Sequence, residues 1–148
     1  MKRLSTIAFC CTLLHCCLAQ SNEWTIEANK IDPNNYFGVT VANGMIGIVS
    51  SPEPMRVKDV VLNGVFDYYQ RGRVSNILKT FNHVNMNLDV DGRRISQRDI
   101  SGYTQVVDMK KASIRTSFDV ADKAAVTHTI MALRHLPYTA LVMVEISA

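Results

Sequence analysis

The stretch Ala112–Val120, ASIRTSFDV, decides the fold class. Ile114, Thr116, Phe118 and Val120 fall on one side of an extended chain, and Ser113, Arg115, Ser117 and Asp119 on the other. Successive side chains of a strand point to opposite faces, so this alternation predicts a half-buried strand. The following residues extend the pattern. ADKA at 121–124 turns the chain, AVTHTIMAL at 125–133 is a second strand with both faces apolar or threonine-rich, RHLPY at 134–138 turns it again, and TALVMVEIS at 139–147 is a third strand. Pro137 suits a turn, not a central strand, because it has no N–H for the ladder. Three strands joined by short connections predict an antiparallel meander.

Working outward, VTVANGMIGIV at Val39–Val49 carries Asn43-Gly44 between two apolar runs. Asn-Gly there predicts a hairpin whose two turn residues both take positive φ. Gly47 falls inside the second strand, where a glycine marks a bulge or a close backbone approach. A phosphate loop needs G-x-x-x-x-G-K-[ST], and these glycines are three apart with no lysine following. MNLDVDGRRIS repeats the hairpin logic with Asp91-Gly92 at its tip, and Ser21–Asn35 reads as a polar lead-in closed by the turn residues DPNN. The fold class expected is all-β, an antiparallel β-sandwich.

Between Asn63 and Asn85 the alternation breaks, and the stretch reads as a long loop with one short helical turn near Ser75–Phe81. Long loops of this kind are often functional. Tyr68, Tyr69, Arg71, Arg73 and Asn76 lie in it. Aromatic faces stack on sugar rings while guanidinium and amide groups hydrogen-bond hydroxyls, so this cluster is the candidate saccharide-binding site. The alternative is that the tyrosines cap the sandwich edge and the arginines face solvent.

The amino terminus has the layout of a secretory leader: Lys2 and Arg3, an apolar run Leu4–Leu14, and CLA ending at Ala19, after which cleavage is expected. A lipid anchor on Cys16 or Cys17 is the rival, although His15 and Cys16 stand where a small residue is wanted. All four cysteines lie inside this leader, so the mature chain has no disulfide, thiolate metal site or cysteine nucleophile. Loss of Lys2 and Arg3 takes the formal net charge from +3 to +1, since no acidic residue precedes Glu23. A nearly neutral chain gives no electrostatic footprint for nucleic acid. No later run reaches the ~20 apolar residues of a membrane span. The localisation expected is secreted or periplasmic.

His83, His128 and His135 are scattered and lack metal-ligand spacing. Carboxylate pairs such as Asp89 with Asp91, or Asp59 with Asp67, are not placed across a sugar by anything in the sequence, and Asp91 is explained as a turn former. There is no G-x-S-x-G. No catalytic, metal or cofactor residue is assigned.

The phrases ANGMIGIV, VVLNGVFDYY, MNLDVDGRRIS, YTQVVDMKKASIRTSF and THTIMALRHLPYTALVMVEI, in that order from about Tyr36 onward, resemble the amino-terminal domain of glycoside hydrolase family 65. That family contains maltose, trehalose and kojibiose phosphorylases, acid trehalases and related α-glucosidases. The resemblance implies a large antiparallel supersandwich of the galactose-mutarotase type, followed by a helical linker and a catalytic (α/α)6 barrel that bears the general-acid glutamate. On this resemblance the expected division is a leader at 1–19, a lead-in at 20–35 and an incomplete sandwich at 36–148, without the barrel. The implied partners are an α-glucoside, the protein's own barrel and, through loops at a subunit interface, a second copy in a homodimer. Export favours hydrolysis over phosphorolysis, because an exported phosphorylase would lose its sugar phosphate. A phosphorylase domain and a stand-alone carbohydrate-binding sandwich are the alternatives.

Overall fold

The computed structural model describes residues 24–36, 38–67, 76–121 and 123–148. Among them the chain forms β1 (Thr25–Ala28), β2 (Thr40–Ala42), β3 (Ile46–Ser50), β4 (Val57–Asp67), β5 (Asn76–Lys79), β6 (Asp89–Val90) and β7 (Arg93–Arg94), then a 3₁₀ turn (Gln97–Asp99). After this come β8 (Ile100–Asp108), β9 (Ser113–Val120), β10 (Ala124–Ala132) and β11 (Ala140–Ser147). A five-stranded sheet runs β1-β8-β9-β10-β11 and a four-stranded sheet β2-β3-β4-β5, with β6-β7 as a separate hairpin. Every pairing is antiparallel. Val41, Ile46, Ile48, Val57 and Val60 of the smaller sheet pack on Val107, Ile114, Ile130 and Ala132 of the larger one, which makes the pair a sandwich.

The meander read from Ala112 onward is present, with Ile114, Thr116, Phe118 and Val120 all buried. Asp91 and Gly92 both take positive φ, 52° and 76°, as a two-residue turn of that composition requires.

Four local readings are corrected. The polar lead-in contributes β1, which pairs with β8 from Thr25↔Asp108 to Ala28↔Gln105 and forms an edge of the larger sheet. The stretch from Asn63 is not all loop: β4 runs on to Asp67, and Asn76–Lys79 is strand rather than a helical turn. Gly64, at φ +83°, and a register shift between Val61 and Phe66 break the period-two signal there. The β2–β3 turn is centred on Gly44 and Met45, with only Gly44 left-handed (φ +90°), because Asn43 N–H already bonds Ile46 O across the hairpin (3.2 Å). Finally, Gly47 sits in regular register with Ala42 and Val61, so it is no bulge. A Cβ at Gly47 would lie 3.0 Å from Val61 Cγ2, so the close approach there is to a side chain of β4 rather than to backbone.

Asn43 joins the two sheets. Its Oδ1 accepts from the N–H groups of Met45 and Ile46, both at 2.9 Å, and its Nδ2 donates to Leu133 O (2.7 Å) and Leu136 O (3.2 Å) in the β10–β11 connection. Replacing it by Ala strands donors and acceptors in a partly buried turn, each worth about 1 kcal/mol when left unpaired. Asn43→Ala is therefore expected to lower urea-unfolding stability by about 2 kcal/mol. Asn43→Asp keeps the Oδ1 acceptor but turns a carboxylate oxygen toward the Leu133 and Leu136 carbonyls, so it should lose both of those bonds and add acceptor–acceptor repulsion.

Candidate functional site

Of the cluster Tyr68, Tyr69, Arg71, Arg73 and Asn76, the first four lie outside the described residues. Asn76 opens β5, with its backbone paired to Asp67 at the end of β4, so the cluster belongs to the β4–β5 connection. On the neighbouring described residues, Phe66 of β4 and Tyr138 of the β10–β11 turn are both about half exposed. Tyr138 is left-handed (φ 57°), and its hydroxyl donates to Asn63 O of β4 at 3.5 Å, which ties the turn to that strand. This end of the sandwich presents aromatic surface, which is suited to the apolar face of a sugar ring.

The middle of the sandwich is polar. Register across the larger sheet aligns Ala28, Gln105, Thr116, His128 and Val144 in one inward row. The row on one side, Val107–Ile114–Ile130–Val142, belongs to the main apolar cluster, and Phe118 with Val126 on the other side belongs to a second cluster around Met55 and Val120. Gln105 is fully used: Oε1 accepts from Tyr36 OH (2.6 Å), and Nε2 donates to Ser51 O (3.0 Å) and Thr116 Oγ1 (3.1 Å). The single Tyr36 proton goes to Gln105, so the short contact to Ser50 Oγ is one in which the serine donates. Burial raises the pKa of Tyr36, an effect offset in part by the Ser50 bond. His128, 2% exposed, has its Nε2 without a hydrogen-bond partner, and burial pushes the imidazole down to about 4. Tyr103 OH is likewise buried without a partner, and burial raises its pKa. Burial thus leaves His128 neutral at pH 7, set among side chains of the polar row that pack between the two apolar clusters.

Three of the four carboxylates considered in the sequence stand in ion pairs with exposed cations: Asp89 with Arg94 (2.5 Å), Asp91 with Lys123, and Asp59 with Lys79 (2.8 Å). Among the described residues no group of three His, Cys, Asp or Glu side chains could hold a metal ion. No helix among them is long and apolar enough to cross a membrane.

At the opposite end of the sandwich the sequence reading missed a cleft of about 540 Å³. Its floor is Met55, Met86, Leu88, Ile95 and Phe118, and its rim carries Glu53, Arg56, Asn87, Gln97 and Arg98. These come from the β3–β4 loop, the approach to β6, the segment after β7, and β9, so no local pattern joins them. The one local signal is SPEPMR at 51–56, a proline-flanked break between strands.

The profile of the glycosyl hydrolase family 65 N-terminal domain matches residues 37–148. This chain belongs to glycosyl hydrolase family 65. Within the family, a kojibiose hydrolase of Flavobacterium johnsoniae is 46% identical over 130 residues, covering 88% of this chain and 19% of that protein. A kojibiose hydrolase of Mucilaginibacter mallensis is 51% identical over 125 residues, covering 84% of this chain and 18% of that protein. The chain thus spans about a fifth of the length of the curated relatives it matches. The family 65 match begins at Phe37, so β1 precedes it, while the two core clusters and the cleft-lining residues fall inside it.

Proposed function

We propose that this chain is the non-catalytic N-terminal sandwich of an exported enzyme that hydrolyses an α-glucosidic disaccharide, kojibiose first among candidates, with trehalose and maltose behind it. The observation that carries the reading is the identity of 46% and 51% to two kojibiose hydrolases over most of this chain. Export rests on the leader ending at Ala19, and it favours water over phosphate as the attacking group, because a phosphorylase profits from retaining its product. Bond cleavage is assigned to the catalytic barrel that follows the sandwich in this family, with a general acid protonating the leaving oxygen as water attacks the opposite face. The sandwich supports that barrel, and the homodimer is the assembly proposed with it.

The full-length protein is expected to release glucose from kojibiose without phosphate, and purified residues 20–148 to release none. Glucose 1-phosphate formed only when phosphate is added would replace hydrolysis by phosphorolysis. Turnover by residues 20–148 would overturn the non-catalytic assignment.

A further inference from the structure

We propose that the cleft between the β3–β4 loop and the 3₁₀ turn is a saccharide site in its own right, taking a neutral hexopyranose or disaccharide. The proposal rests on the reading of the protein as one that handles saccharides. At about 540 Å³ the cleft is within the range that holds small ligands. It is also far from the aromatic end: β4 begins beside it at Val57 and ends at Asp67, and eleven extended residues span roughly 30 Å.

The lining chooses the ligand class. Met55 and Phe118 are nearly buried beneath it, and the half-buried Met86, Leu88 and Ile95 complete an apolar floor of the kind that meets the C–H face of a pyranose. Above the floor stand donors and acceptors together. Arg56 Nη2 donates to Asn87 Oδ1 at 2.6 Å, which fixes that guanidinium, whereas Glu53 and Arg98 make no ion pair among the described residues. A hydroxyl both donates and accepts, so it can use the glutamate and the arginines at once. The two guanidinium groups outnumber the one carboxylate and oppose a cation, while Glu53 supplies an acceptor that a hydroxyl can use and an anion cannot.

The walls are preset. Met55 holds a left-handed backbone (φ 61°), and its carbonyl accepts the Met86 N–H at 3.0 Å, which locks the two sides of the cleft together. A non-glycine residue keeps such a conformation only where its surroundings impose it, and such outliers gather at ligand clamps. On the facing wall, Asp99 Oδ2 accepts from the Ser96 N–H (2.9 Å) and from Ser96 Oγ (2.5 Å), which fixes the turn that carries Gln97 and Arg98.

Full-length protein labelled with ¹³C at the methionine ε-methyls, titrated with methyl β-glucoside, tests the site without catalytic turnover by an α-glucosidase. The Met55 and Met86 signals should move saturably, while those of Met109 and Met143, outside the cleft, stay still. In a Glu53→Ala/Arg98→Ala double variant, both substitutions at exposed rim positions, the apparent Kd should rise at least fivefold. Silent Met55 and Met86 signals, an unchanged Kd in the double variant, or tighter binding of sulfate than of the glucoside would each overturn the proposal. Kojibiose turnover with silent cleft signals would sink the site and leave the hydrolase reading standing. Saturable shifts without turnover would do the reverse.

Discussion

Lowering the pH from 7 to 4 is expected to remove about 3 kcal/mol of folding stability through His128 alone. The imidazole is buried on β10, where burial holds its pKa down to about 4. In the unfolded chain it returns to about 6.5. Because the folded value is the lower one, the unfolded chain binds the proton first. The contribution is complete above the unfolded value and is lost as pH falls from 6.5 toward 4, where protonation places a charge between two apolar clusters. Urea midpoints measured by far-UV circular dichroism from pH 7 to pH 4 should decline along this curve, and His128→Leu should flatten it. A wild-type midpoint that does not change between pH 6.5 and 4.5 would show that the imidazole is not buried neutral. Asp99, held down by Ser96, and Asp32, held down by Asn35, add a loss that begins only as pH falls into the ordinary carboxylate range, so the decline between pH 6.5 and about 5 is the part that reports His128.

The second large effect centres on Gln105. Its amide closes three hydrogen bonds in an interior where each partner left unpaired costs about 1–3 kcal/mol. Gln105→Leu, similar in volume, should cost about 3 kcal/mol, chiefly because Ser51 O and Thr116 Oγ1 lose the amide and Tyr36 OH keeps only Ser50. Tyr36→Phe in that background should cost less than in the wild type, since the hydroxyl then has only its bond with Ser50 left to lose. Additive effects of the two substitutions in a double-mutant cycle would mean that the network has no cooperative character.

What was legible in the sequence follows from distance along the chain. The β9–β10–β11 meander announces itself because consecutive strands share a period and short turns. Asp91-Gly92 does so because its chemistry permits little else. β1 was not legible: TIEA is four residues long, and its partner β8 lies some eighty positions away. β4 and β5 were hidden by Gly64 and the slip in register beside it, which scramble the alternation over the aromatic residues. At Asn43 the residue type was right and its role was misread, because the side chain replaces a backbone acceptor and shifts the turn by one residue. The candidate sugar cluster was read from composition alone, and its tyrosines and arginines lie outside the described residues. Of the cleft only the proline-flanked break at 51–56 was visible, since Glu53, Asn87 and Arg98 converge only through the packing of separate loops.

The polar belt has a consequence for how the strands find one another. A slip of two residues between β9 and β10 preserves the inward and outward sets, so apolar patterning alone cannot forbid it. It would, however, set Thr116 against Ile130 or Val126 instead of His128 and put polar atoms inside an apolar cluster. A similar slip between β8 and β9 would part Gln105 from Thr116. The band of polar side chains across the sandwich therefore works as an index mark, telling otherwise interchangeable strands which of their near-equivalent alignments is the native one.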